Sequence, residues 1–74
     1  MTTLNDLKTK ECARVVKIAG AGAVRRRLFD MGLTPNTEVL VRKTAPMGDP
    51  VEIVIRGYEL SLRKSEAELV IIER

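Results

Sequence analysis

The chain has 74 residues, 13 basic and 10 acidic side chains, a net charge of +3, one cysteine and no histidine. A domain this small buries only about 60% of the surface its unfolded chain exposes, which leaves little room for a deep catalytic pocket. The lone Cys12 excludes an internal disulfide, the missing histidine removes Ser-His and Cys-His nucleophile pairs, and no apolar run approaches the roughly 20 residues that span a bilayer.

The opening segment MTTLNDLKTK lacks the apolar run of a signal peptide, so a cytosolic chain is expected. Within it, Thr3 to Asp6 reads as a capped single turn with Leu4 and Leu7 as its apolar residues. CARVVKIA, from about Cys12 to Ala19, is β-branched and strand-like, and Gly20 to Gly22 breaks it. A helix follows from about Ala23 to Met31. Val24, Leu28 and Met31 stand at i, i+4 and i+7 and predict its buried stripe. Gly32 is placed to stop the helix as a left-handed cap, Leu33 to fold back on Leu28, and Pro35 to prevent a restart. Thr34-Pro35-Asn36-Thr37 is a turn with Asn36 at its third position, where a positive φ is often required.

The remainder alternates with period two. Val39 and Val41 oppose Glu38, Leu40 and Arg42; Val51, Ile53 and Ile55 oppose Glu52, Val54 and Arg56; Tyr58, Leu60 and Leu62 oppose Glu59, Ser61 and Arg63. APMGDP is a loop of hairpin length and Gly57 a tight turn. Ser65 reaching toward Glu68 predicts one capped turn before a last strand, LVIIE. Five short antiparallel strands with tight turns favour a small closed barrel, mainly β, with the single helix in the first connection covering an open end.

Four features bear on function. Gly20-Ala21-Gly22 follows a strand and opens a helix as a dinucleotide loop does, but the third glycine of that pattern would fall at Arg25, so a plain strand-to-helix turn is expected. Arg25, Arg26 and Arg27 spread over about 200° of the helix, and Asp30 is spaced to neutralise Arg26 or Arg27. Phe29 lies about 140° from Val24, off the predicted stripe. It either tucks against the barrel rim or stays exposed among arginines, the composition of a contact hot spot. Met47, at the tip of a loop bounded by Pro46 and Pro50, either fills a gap on the barrel or is offered to a partner.

Metal and nucleic acid find little support in these residues. Borderline and soft metals prefer imidazole or thiolate, and Asp49 with Glu52 is the nearest carboxylate pair, so no metal site and no cofactor are expected. Single-strand-binding barrels and proline-peptide adaptors both use aromatic platforms, and Phe29 and Tyr58 are the only aromatic residues.

The segments RRRLFDMGLTPNTEVLV, APMGDPVEIVIRGYELSLR and EAELVIIE, in this order and spacing, resemble the ferrous iron transport protein A family, FeoA. The resemblance covers nearly the whole chain. It implies an SH3-like β-barrel and a cytosolic accessory role for the FeoB-type ferrous iron transporter, a membrane protein whose soluble part carries a GTPase domain. A similar domain ends metal-dependent repressors of the diphtheria-toxin-repressor type; the stand-alone form, without their helix-turn-helix, is expected here. Two residues depart from the family pattern. Lys10 and Asn36 stand where glycine is frequent, and lysine tolerates positive φ poorly, so a different first turn is expected. The resulting expectation is a non-enzymatic module without membrane insertion. Val24, Leu28, Met31, Gly32, Leu33, Pro35 and Gly57 would set its structure, and Arg25, Arg26, Phe29 and Met47 would meet the transporter. The alternatives are a small basic nucleic-acid-binding barrel and a metal-sensing or metal-binding SH3-like module.

Overall fold

The computed structural model describes residues 2–74. A single 3-10 turn at Leu4–Asp6 is closed as expected, the Thr3 N–H donating to the Asp6 carboxylate at 2.9 Å. Strand β1 (Cys12–Ile18) leads into helix α1 (Gly22–Asp30), then β2 (Glu38–Thr44), β3 (Val51–Ile55), β4 (Tyr58–Leu62), a one-turn helix α2 (Lys64–Ala67) and β5 (Val70–Glu73). The strands form one antiparallel sheet in the order β4-β3-β2-β1-β5.

The period-two reading is realised in the core. Ala13, Val15, Val39, Val41, Val51, Ile53, Ile55, Val70 and Ile72 point inward and are buried, joined by Leu4 and Leu7 from the N-terminal turn. The alternation fails in β1, where the register shifts between Val15 and Lys17. Val16 is the extra residue of a bulge and is exposed, and the slip lets Val15 and Ile18 both face the core.

The barrel closes by cover at one edge, with no ladder joining β4 to β5 among the described residues. Thr3 pairs with Ile71, and the Ile72 N–H donates to the Thr2 carbonyl at 2.9 Å, so the outer edge of β5 is occupied. This contact also explains why Ile71 is buried together with its neighbours Val70 and Ile72.

Two local expectations are corrected. The capped turn before β5 starts two residues earlier than Ser65 and Glu68 suggested. Arg63 precedes α2 and donates its N–H to the Glu66 carboxylate at 2.9 Å, while the Lys64 N–H donates to Asp49 Oδ1 at 3.0 Å. The turn before β1 takes the glycine-type conformation. Lys10 adopts φ 74°, the Glu11 N–H reaches the Lys8 carbonyl at 3.0 Å, and the Lys10 N–H binds the Val41 carbonyl at 2.6 Å. The bonds to Lys8 and Val41 hold the lysine where glycine would sit without strain. Asn36 matches its expectation at φ 72°, with the Thr37 N–H closing on the Thr34 carbonyl at 3.1 Å. Gly57 (φ 84°) follows Arg56 (φ 48°), and these two positive angles fit the two-residue turn of a tight hairpin.

Candidate partner-contact site

Helix α1 is fixed at its C-terminal end. The Leu33 N–H donates to the Leu28 carbonyl at 3.1 Å and the Gly32 N–H to the Phe29 carbonyl at 2.9 Å. Gly32 has φ 102°. These are the two bonds of the Schellman termination, and Leu28 and Leu33, the pair expected to fold together, are both fully buried in one core cluster. The Tyr58 hydroxyl donates to the Met31 carbonyl at 2.8 Å, satisfying an acceptor the helix end leaves free. Arg56 extends from the β3–β4 turn and donates to the Thr34 and Thr37 hydroxyls, each at 3.2 Å, bracing the segment that follows α1.

The N-terminal part of α1 is free. Every residue from Gly20 to Arg27 is exposed, and the helix becomes buried only at Leu28. Val24 is therefore corrected. It shares a helical face with Leu28 but is 43% exposed, because one turn earlier the helix has run past the barrel. Burial on α1 is decided by position along its axis more than by angle around it. Met31, the third member of the predicted stripe, is half-buried against the core.

The three arginines separate into different roles. Arg25 lies over the Phe29 ring, 4.6 Å from its centroid. Arg27 pairs with Glu66 of α2, correcting the expected pairing with Asp30. Glu66 is 6% exposed and also accepts the Arg63 N–H, so this carboxylate ties α1 to the start of α2. Arg26 has no ion pair among the described residues. Phe29 takes the first of its two fates. It is half-buried and packs against the core, with Arg25 on its ring.

Met47 is 87% exposed, which removes the gap-filling reading. Its loop is nonetheless held in shape. The Gly48 N–H donates to the Ala45 carbonyl at 2.7 Å, the Ala45 N–H to the Pro50 carbonyl at 3.2 Å, and Asp49 is bonded to the first residue of α2. The structure thus brings Arg25 and Phe29 together, whereas Met47 stands on a separate loop. Among the described residues no three His, Cys, Asp or Glu side chains converge as a metal site would require. Glu66 and Tyr58 escaped the sequence reading because each acts on an element remote in the chain. Glu66 alone left a trace, as an acidic residue three positions after Arg63.

A curled five-stranded antiparallel sheet with one short projecting helix is the SH3-like architecture, a class defined by its fold and not by a function. The chain belongs to the FeoA family: the FeoA domain model matches residues 2–74. The FeoA-like protein of Clostridium acetobutylicum, solved by NMR, is 43% identical, covers 99% of this chain and 88% of its own, and superposes with a TM-score of 0.88. Stenotrophomonas maltophilia FeoA, crystallised with zinc, is described as a prokaryotic SH3 domain protein and proposed as a ferrous iron transport activating factor. It is 27% identical, covers 99% of this chain and 91% of its own, and has a TM-score of 0.88. An Fe(2+) transport protein A/Fe(2+) transporter FeoB fusion protein of Porphyromonas gingivalis is 34% identical over 70 residues, 95% of this chain. The chain spans 8% of that relative's length. The family is thereby linked to ferrous iron transport. Among the described residues no helix is long and apolar enough to cross a membrane.

Proposed function

We propose that this chain is a cytosolic accessory protein of ferrous iron uptake that docks on the cytosolic region of a FeoB-type transporter and shifts its conformational equilibrium. The observation that carries this reading is the Porphyromonas gingivalis fusion, in which a domain 34% identical to this chain shares one polypeptide with the transporter. Covalent joining keeps two partners at high effective concentration, which is useful where they act together. The projecting turns of α1 supply the contact. Arg25 and Arg26 offer charge, and Val24 adds apolar area that the barrel does not cover. Phe29 holds Arg25 in place, and Met47 is a second apolar contact on its ordered loop. Docking acts by differential affinity for two states of the transporter, since equal affinity for both would shift nothing.

The test is binding of the purified chain to the transporter's cytosolic region, read together with stability. Arg26→Ala should leave the melting temperature unchanged and slow association in a salt-sensitive manner. Phe29→Ala should cost about 2–3 kcal/mol of stability, below the loss for a fully buried ring, and should weaken binding of the folded fraction by freeing Arg25. Unchanged affinity in both variants, and in Met47→Ser, would refute this docking face.

A further inference from the structure

The two edges of the sheet are treated differently. The outer edge of β5 is occupied by Thr2 and Thr3, while β4 ends the sheet at the other side with no strand beyond it among the described residues. β4 follows a two-residue turn, so the bonded pairs with β3 are Ile55–Tyr58, Ile53–Leu60 and Val51–Leu62. The backbone N–H and C=O groups of Glu59 and Ser61 consequently point outward, and neither residue has a backbone partner beyond the sheet among the described residues. Exposed edges are commonly blunted by free charged side chains, lysine above all, by proline, a bulge or a covering element. β4 reads Tyr-Glu-Leu-Ser-Leu, with neither lysine nor proline; its one charged side chain, Glu59, is already paired with Arg42 of β2, and its ladder with β3 is regular, the sheet's bulges lying in β1 and β2.

We infer that β4 pairs antiparallel with β4 of a second copy of this chain, about a two-fold axis at Leu60. The register follows from which groups are free. With the axis at Leu60, Glu59 of each copy faces Ser61 of the other. All four outward N–H groups then find carbonyls, and no like charges meet. Moving the axis to Glu59 sets two glutamates opposite one another, which destabilises a cross-strand pair. Moving it to Ser61 brings Glu59 opposite Arg63, whose backbone is already engaged. The Arg63 N–H donates to Glu66, and its carbonyl accepts from the Glu66 and Ala67 N–H groups. That register keeps only the central pair. Only the Leu60 axis satisfies every free group, and it makes the interface isologous, as a closed dimer requires. This inference stands on the sheet edge alone and does not depend on the docking reading of α1.

Sedimentation equilibrium over a concentration series, with reductant present so that Cys12 cannot bridge copies, measures the association. The weight-average mass of the 8.2 kDa chain should climb toward twice that value. Ser61→Lys places lysine opposite Glu59 of the partner twice and should tighten Kd by about twofold to thirtyfold, and Ser61→Glu should weaken it by a similar factor. Ser61→Pro removes an outward N–H that β3 does not use and should abolish association with the circular dichroism spectrum unchanged. Should the proline variant fail to fold, the two charge variants decide the question. A monomer at every concentration would overturn the inference, and so would equal shifts from lysine and glutamate, since only this register gives them opposite signs.

Discussion

Substituting Gly32 by alanine tests how α1 is fastened to the barrel. The residue has φ 102°, a conformation that costs a side-chain-bearing residue about 1–2 kcal/mol. Space is a second obstacle. A Cβ at this position would lie 2.9 Å from the Tyr58 hydroxyl oxygen and 3.2 Å from Ile55 Cδ1. Ile55 is locked in the core, so the tyrosine must yield, and with it the 2.8 Å bond to the Met31 carbonyl. Losing that bond removes about 0.5–1.5 kcal/mol, while alanine returns about 0.4–1 kcal/mol by narrowing the unfolded ensemble. The expected net loss is about 2 kcal/mol, or roughly 8–16 °C in melting temperature for a domain of this size. Urea denaturation of Gly32→Ala, Tyr58→Phe and the double variant measures the two parts separately. Phenylalanine removes the clashing oxygen, so the double variant should be less destabilised than the sum of the singles by about 0.5–1.5 kcal/mol. An unchanged midpoint in Gly32→Ala, or strict additivity in the cycle, would refute the reasoning.

Lys10→Gly should stabilise the chain by about 1 kcal/mol, because glycine takes φ 74° without the left-handed strain lysine bears; a loss in the denaturation midpoint would show that the lysine side chain compensates. Glu66→Ala should destabilise by about 1–2 kcal/mol through the lost bond from the Arg63 N–H, with little added from Arg27, which is largely solvated and rehydrates. Hydrogen exchange should then show the start of α2 loosened. Chelator should leave thermal melting unchanged, since no three His, Cys, Asp or Glu side chains among the described residues are placed to hold a metal ion. A fall of many degrees would make metal structural.

Where the fold was legible in the sequence, one residue and its near neighbours carried the signal. The alternation of β2 and β3 is a period-two pattern against a single core, and it needs no long-range information. The end of α1 was equally local, written in Gly32, Leu33 and Pro35. Val24 was misread because periodicity reports the angle around a helix and is silent on how far the barrel extends beneath it. The start of α2 was misread because Arg63 with Glu66 and Ser65 with Glu68 satisfy the same spacing. Asp49, bonded to the Lys64 N–H, and Arg27, paired with Glu66, favour the earlier frame, and both lie far off in the chain. The candidate site was legible as a list of residue types but not as an arrangement, since Arg27 proved to be a fastening, while Arg25 lies over Phe29 and Arg26 has no ion pair among the described residues.

Nine residues is a short helix, and isolated helices shorter than about 12–15 residues are marginal in water. The order of α1 is therefore lent by the barrel through Leu28, Phe29 and Leu33 at one end, and it declines toward Gly22, where no side chain caps the first turn. Fraying of those turns costs little free energy compared with global unfolding. A molecule that recognises Val24, Arg25 and Arg26 as helix must first complete the ordering of that helix, and part of its gross contact energy is spent doing so. Replacing Ala21, which precedes the helix in extended backbone and offers no side-chain cap, by serine or aspartate would supply an acceptor to the first turn and thus act on affinity without touching the partner.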